Sequence, residues 1–248
     1  MTTPVLEVRA LTGPDQDPAI FDIALSCYRG RTNVVLGPIH SGKSMLMRHL
    51  LGLEKARRGA IVVDGEEFDA TGESEERLRR LRTCIGSVFQ GAALISRLGA
   101  IQNVELPLLE HTDASATEAR EAAALLMREV GLEVDPESTP NQLDRDKQRR
   151  LALARALALH PPVVLLDEPT QGLDAHAAAE LDETLAVLQD GHGFATLIFS
   201  HDPRYAFGRA DRIFVMEGGR IVEAGTPEGV RESGNLVVSR LLDRRGAA

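Results

Sequence analysis

Eight residues, Gly37 to Ser44, constrain this chain more than any other stretch. They read GPIHSGKS and fit G-x-x-x-x-G-K-[ST], the pattern of a phosphate-binding loop. The pattern has structural meaning only between a strand and a helix, and both are legible. Thr32–Leu36 (TNVVL) is short, apolar and β-branched, which predicts a buried strand. Met45–Leu51 (MLMRHLL) is apolar enough to be a helix packed on a sheet. In that setting the loop's backbone N–H groups and the helix N-terminus face one anion-binding hollow. Lys43 would reach the β- and γ-phosphates of a nucleotide, and the Ser44 hydroxyl would hold Mg²⁺. Gly37 and Gly42 would let the backbone approach the phosphates with no Cβ in the way. Pro38, Ile39, His40, Ser41 and Met45 complete the expected cradle. An ordinary glycine-rich turn is the competing reading, and the flanking strand and helix weigh against it.

The chain has 248 residues, 43% hydrophobic and 26% charged, which suits one large globular domain or a core with a smaller lobe. Its formal net charge of −9 makes it a poor non-specific nucleic-acid binder, because phosphate neutralisation dominates that affinity. The basic runs Arg77–Arg82 and Arg145–Arg150 sit among acids and read as solvated helix faces. Cys27 and Cys84 make no metal spacing and read as buried reduced thiols, as in a cytosolic protein. The opening MTTPVLEVRA lacks a basic and an apolar region, so no signal peptide is expected. No apolar run approaches the length of a membrane span, so a membrane role has to come through a partner subunit.

Val5–Leu11 and Phe21–Ser26 read as strands, separated by the turn chemistry of residues 13–18. Ala60–Asp64 (AIVVD) is another strand, ended by Gly65. Ser74–Leu81 reads as a helix with Ser74 as N-cap, an imperfect one because Arg77 stands where a capping-box acid would help. Ile85–Phe89 is a short strand running into Gln90. From Gly91 to about His160 strand signals vanish. Thr117–Val130 has apolar residues at helical spacing and is stopped by Gly131. Pro136 and Pro140 break the chain, and 146–159 resumes as a long helix. Residues 91–160 therefore read as a helical subdomain inserted into a core formed by 1–90 and 161–248. Val163–Leu166 is the clearest strand. Ala175–Gln189 is a helix, Phe194–Ser200 a strand, and Arg212–Met216 with Arg220–Ala224 a hairpin. Residues 235–245 read as a terminal helix that either grips a partner or frays. Strands alternating with helices predict an α/β fold with a mostly parallel sheet.

Ligands of such sheets collect at the carboxyl ends of strands. Gln90, Asp167 and His201 have that address, as does the phosphate loop. Asp167 would hold Mg²⁺ through water, and Glu168 would polarise the attacking water. The commoner role of an acidic pair after a strand is a helix N-cap, but Pro169 argues against a helix starting at once. His201, within Ser200-His201-Asp202, could contact the γ-phosphate. Gln90 could ligate Mg²⁺ and report nucleotide state to the helical lobe. Taken singly, a histidine there is usually structural and a glutamine an unremarkable loop residue.

The order GPIHSGKS, Gln90, LALARAL (151–157), VVLLDEPT (163–170), GLD (172–174) and SHD (200–202) resembles the nucleotide-binding subunit of an ABC transporter over nearly the whole chain. The stretch 88–112 is similar to the ATPase subunits of Mla/Mce-type lipid transporters. The resemblance implies a P-loop NTPase core of the ABC ATPase type, with an antiparallel β subdomain and the helical insertion. It implies ATP and Mg²⁺ as cofactors, and Glu168, His201 and Gln90 as catalytic residues. It also implies a head-to-tail homodimer or heterodimer with Asp174 at its seam, permease subunits as membrane partners, and an MCE-type lipid-binding subunit. The expected place is peripheral, at the cytoplasmic face of the inner membrane.

One segment departs from that family. Its LSGGQ signature is replaced by Leu143-Asp144-Arg145-Asp146-Lys147. Small residues at a helix N-terminus face a γ-phosphate in the family; here Asp144 or Asp146 would cap the helix and repel a phosphate. Arg145 could offset part of this. Two further contacts are weakened, since no aromatic lies between Met1 and Ile20 to stack on adenine, and Met45 stands where a second hydroxyl is common. Three readings result. One is a transport ATPase for lipids with activity impaired by the degenerate signature. The second is a regulatory cassette that binds ATP with weak or no hydrolysis. The third, a DNA-repair or translation ATPase, is opposed by the acidic charge and the lack of coiled-coil arms.

Overall fold

A computed structural model describes residues 3–14 and 19–243. Of the sequence expectations, residues 15–18 of the first turn and 244–245 of the terminal helix lie outside them. Along the chain come β1 (Leu6–Thr12), β2 (Ile23–Cys27), β3 (Thr32–Leu36), α1 (Lys43–Leu50), β4 (Arg58–Val63), β5 (Glu66–Asp69), α2 (Glu75–Cys84) and β6 (Ile85–Val88). Then follow α3 (Ala100–His111), α4 (Ala116–Glu129), a 3₁₀ turn at Pro140–Gln142, α5 (Arg145–Leu157), β7 (Val163–Asp167) and α6 (Ala175–His192). Last are β8 (Ala195–Ser200), α7 (Pro203–Arg209), β9 (Arg212–Glu217), β10 (Arg220–Gly225), α8 (Pro227–Glu232) and α9 (Leu236–Asp243).

The chain divides into two compact units, one of Met1–Arg82 with Ala195–Ala248 and one of Thr83–Phe194. In the first, β2-β1-β4-β5 form an antiparallel sheet. β2 alternates buried and open residues, the signature of a sheet with one face in the core. The same unit holds β10-β9-β3-β8, in which β3 runs parallel to both β8 and β9 and β10 closes the edge as a hairpin. β8 (ATLIFS) is buried at every position, as a strand covered on both faces must be. In the second unit β6 pairs parallel with β7, which is also buried throughout, and the helices α3 to α5 pack on one another.

Several elements were not legible in the sequence. β5 (EEFD) has one core residue, Phe68, among acids, so its strand character comes from pairing with β4. α3 contains Pro107, which reads as a break. Asn103, fully buried, turns its side-chain amide onto the Ile95, Leu98 and Gly99 carbonyls and anchors the first turn of the same helix. α7 and α8 are single short helices opened by Asp202 and Thr226 caps and a proline at the first helical turn. The Ser74 cap is present: its hydroxyl accepts from the Arg77 N–H at 3.3 Å. Cys27 is buried as expected, whereas Cys84, at the end of α2, is half-buried.

Candidate functional site

In the first unit the phosphate loop leaves β3 at an edge shared with β8. Leu36 is in register with Ser200, and the Gly37 N–H donates to the Ser200 carbonyl at 3.1 Å. His201 therefore leaves the sheet one strand from the loop. Its neighbours are structural: Ser200 Oγ accepts from the Asp202 N–H, and Asp202 caps α7. The loop turns through His40 at φ 65° and Gly42 at φ 102°, a backbone region where only glycine is unstrained. The Gly219 N–H of the β9–β10 turn donates to the Ser41 carbonyl at 3.0 Å, so the hairpin braces the loop from behind.

Gly37 has a different reason from the expected one. A Cβ there would lie 2.2 Å from the Met216 carbonyl oxygen, so the close approach that excludes a side chain is to β9. Lys43 is buried, and its ammonium donates to the carbonyls of Gly37 at 2.8 Å and Pro38 at 2.9 Å, closing the loop into a ring. α1 opens on glycine, so no side chain caps it, and its first turn carries no carboxylate. An N-terminus left in this state, with a lysine beside it, fits an anion such as a triphosphate. Ser44 and Met45 lie in that first turn, and Ile39 and His40 are at the exposed rim.

Behind the loop, His49 closes α1. Its Nδ1 faces the Glu54 carbonyl at 3.0 Å, its Nε2 has no hydrogen-bond partner among the described residues, and burial pushes its pKa below the ordinary histidine value. Nε2 lies 2.9 Å from where a Cβ on Gly13 would sit. Sequence reasoning missed this residue, since a histidine in an apolar helix carries no distinguishing signal.

In the second unit Val88 is in register with Leu166, which brings Gln90 and Asp167 to one edge. Asp167 is buried at the end of β7; Glu168 follows at φ 48°. The Asp167-Glu168 pair caps no helix. The chain instead makes a turn, with Gln171 N–H to the Glu168 carbonyl at 3.1 Å, and Asp174 caps α6 by accepting from His176 and Ala177. Those two amides, Ala177 foremost, hold the Asp174 carboxyl below the usual carboxylate range. The Gln90 side-chain amide donates to Gln171, which ties the β6 exit to the same turn.

The 143–147 segment is arranged around its own charges. Leu143 is buried, and Asp144 caps α5, accepting from the Lys147 N–H at 2.9 Å. Asp146 Oδ2 binds Arg150 at 2.9 Å, and its Oδ1 is buried without a hydrogen-bond partner among the described residues. The expectation that 145–150 is a solvated face is corrected: Arg149 and Arg150 are only 8% and 7% exposed. Arg149 donates to the Phe89 carbonyl at 2.7 Å and Arg150 to the Val130 carbonyl at 3.0 Å. Burial lowers the Arg149 pKa, opposed by the nearby Asp167 carboxylate and reinforced by Arg145. The other run, 77–82, pairs at the surface with Glu66 and Glu73, with Arg82 on the Leu51 and Gly52 carbonyls.

The sequence profile described as "ABC transporter" matches residues 20–171, more than half of the chain. The chain belongs to the ABC transporter family. It is 40% identical over 214 residues to the lipoprotein-releasing system ATP-binding protein LolD of Bordetella pertussis, covering 84% of this chain and 89% of that one. It is 36% identical to the glutamate transport ATP-binding protein GluA of Corynebacterium efficiens, covering 86% of this chain and 87% of that one. To the methionine import ATP-binding protein MetN 1 of Rhodococcus jostii it is 35% identical, over 89% of this chain and 66% of that longer one. Among solved structures it superposes on cbiO1 from Clostridium perfringens, part of the ABC transporter complex cbiONQ, with a TM-score of 0.81 and 28% identity, covering 98% of this chain and 95% of that one. The dimeric post-hydrolysis structure of the ATP-binding cassette MJ0796 with ADP and Pi gives a TM-score of 0.78 at 28% identity, over 90% and 98%. The fold is thus the α/β fold of the ABC ATPase cassettes, and the ABC protein is an ATPase of that family. Among the described residues no helix is long and apolar enough to cross a membrane.

Proposed function

We propose that this ABC protein is the motor subunit of a transporter, coupling ATP-driven dimer closure to movement of cargo by membrane permeases. The observation that carries the reading is the N-terminus of α1, which has a glycine cap, no acid in its first turn and Lys43 folded into the loop beside it. Residues 37–45 would bind the triphosphate, with Asp167 also in the nucleotide site. Ser44, Gln90 and Asp167 would hold Mg²⁺, which when bound neutralises phosphate charge. Glu168 would orient and deprotonate the attacking water, and His201 would sense the γ-phosphate. Asp174 would lie at the seam between two cassettes.

The proposed subdomains are 91–160 for the helical lobe and the remainder for the core. The proposed setting is peripheral, on the cytoplasmic face of a membrane. For cargo we propose lipids of the Mla/Mce kind, with an MCE-type subunit among the partners. The support is the stretch 88–112, and the named relative LolD belongs to a lipoprotein-releasing system. Relatives named for glutamate and methionine mark the alternatives. Isolation from membranes with its bound proteins and lipids tests this: co-purification with an amino-acid permease and no lipid would sink the cargo reading.

A second reading, an ATP-binding cassette with weak hydrolysis, is favoured by the Asp144 cap on α5. Phosphate release by purified protein separates the two. Rapid turnover abolished by Glu168→Gln supports the motor, while tight MgATP binding with negligible turnover supports the regulatory cassette.

A further inference from the structure

Arg145 stands at the first position of α5, where its side chain has solvent on most sides. It makes no ion pair among the described residues, and its positive charge is close enough to Arg149 to help lower that residue's pKa. Nevertheless it is turned onto the loop that follows β7. Its Nη1 lies 2.6 Å from where a Cβ on Gly172 would sit, with Cζ at 3.7 Å and Cδ at 3.8 Å. The guanidinium therefore covers the bare face of Gly172, a residue held at φ 78°. That loop holds a second residue in the same uncommon region, Glu168 at φ 48°. Backbone hydrogen bonds within it run from Gln171 N–H to the Glu168 carbonyl and from Leu173 N–H to the Thr170 carbonyl. A short segment with two left-handed residues keeps one conformation only where its surroundings hold it, as Gln90 does at Gln171.

We propose that Arg145 is a positioning residue that holds the 168–174 loop, and through it Glu168 and Asp174, by setting its Nη1 against Gly172. The substitution in the 143–147 segment then does more than close α5 to an anion, because it fastens the helix to the loop of the same chain that carries the acidic pair. The functional half of this inference rests on the reading of Glu168 as the water-activating carboxylate. The structural half does not.

The test uses the full-length chain with Arg145→Ala, Gly172→Ala, the double variant and Arg145→Lys. Amide hydrogen exchange is followed without nucleotide, and ATP turnover is measured in parallel. Arg145→Ala is expected to speed exchange at Gln171 and Leu173 about tenfold while leaving β6 and β7 unchanged. It lowers kcat about tenfold at unchanged KM for ATP, since only the carboxylate's placement is disturbed. Gly172→Ala evicts the guanidinium and also strains the φ 78° backbone, so its effects are at least as large, and the double variant is no worse than Gly172→Ala alone. Arg145→Lys, which keeps the charge but not the flat fork, recovers less than half of the lost kcat. Unchanged exchange in Arg145→Ala, acceleration spread evenly over the whole unit, faster exchange with undiminished kcat, or full additivity in the double variant would each overturn the proposal. If the wild type hydrolyses no ATP, the motor reading fails while the exchange measurements still decide this one.

Discussion

α1 and α5 each begin with amide donors that no helix can satisfy internally, and the chain treats the two ends in opposite ways. α1 opens on Gly42, with no carboxylate in its first turn and with the buried Lys43 bound to loop carbonyls. α5 opens on Asp144, which accepts from its own third amide, and places Asp146 in the first turn against Arg150. One end keeps its partial positive charge for a ligand; the other has neutralised it from within. The lesson is that a helix start becomes an anion site by what is withheld from it, and the same backbone with one aspartate is merely a stable helix.

This contrast can be broken experimentally. The largest effect is expected from Lys43→Ala, which removes the ammonium from both the loop and the ligand. A charge-assisted contact of this kind is worth about 2–3 kcal/mol, so affinity for MgATP in a fluorescence titration should fall at least about thirtyfold. An unchanged Kd would mean that the lysine serves only the loop. Next, Glu168→Gln should lower kcat in a phosphate-release assay about a hundredfold while nucleotide binding survives. Parallel loss of binding would assign the carboxylate to the ligand site itself. Met45→Glu makes α1 resemble α5 by placing a carboxylate in its first turn; ATP affinity should drop about fivefold at low ionic strength, less in high salt.

The smaller effects concern stability. Asp144→Ala removes the α5 cap and should cost about 1 kcal/mol, read as a fall of about 2–4 °C in Tm by calorimetry. No loss would show that the side chain is not the cap. At the far end of α1, His49 has its pKa lowered by burial, so the unfolded chain binds its proton more readily. The stability this gives is present above about pH 6.5 and is lost as pH falls through the lower folded value. Tm of the wild type should thus decline as pH falls below about 6.5. His49→Gln should flatten that decline, and an equal slope in both proteins would remove His49 as its source.

Much of this was legible in the sequence, for identifiable reasons. TNVVL before the glycine loop gave β3 with its exact bounds, because a short β-branched run has few alternatives. VVLL gave β7 and FATLIFS gave β8, since strands buried on both faces need no alternation. The α5 cap was legible only as a choice between Asp144 and Asp146, and the helix start at Arg145 decides it for Asp144. β5 and α3 were not, because β5 owes its strand character to pairing with β4 and α3 carries Pro107 in its interior. The arginines of α5 were misread for a related reason. A basic run looks solvated until the carbonyls of Phe89 and Val130 are known to lie against it.

The residues alone determined the family, the phosphate loop and the acidic pair after β7, because these rest on short-range order: which side chain follows which along one strand, turn or helix start. Tertiary structure decided what each glycine and charge is for. Gly37 is bare because the Met216 carbonyl comes within 2.2 Å of its missing Cβ, and Arg145 lies on Gly172 twenty-seven positions away. Such contacts depend on distances between segments remote in the chain, which local sequence order does not encode.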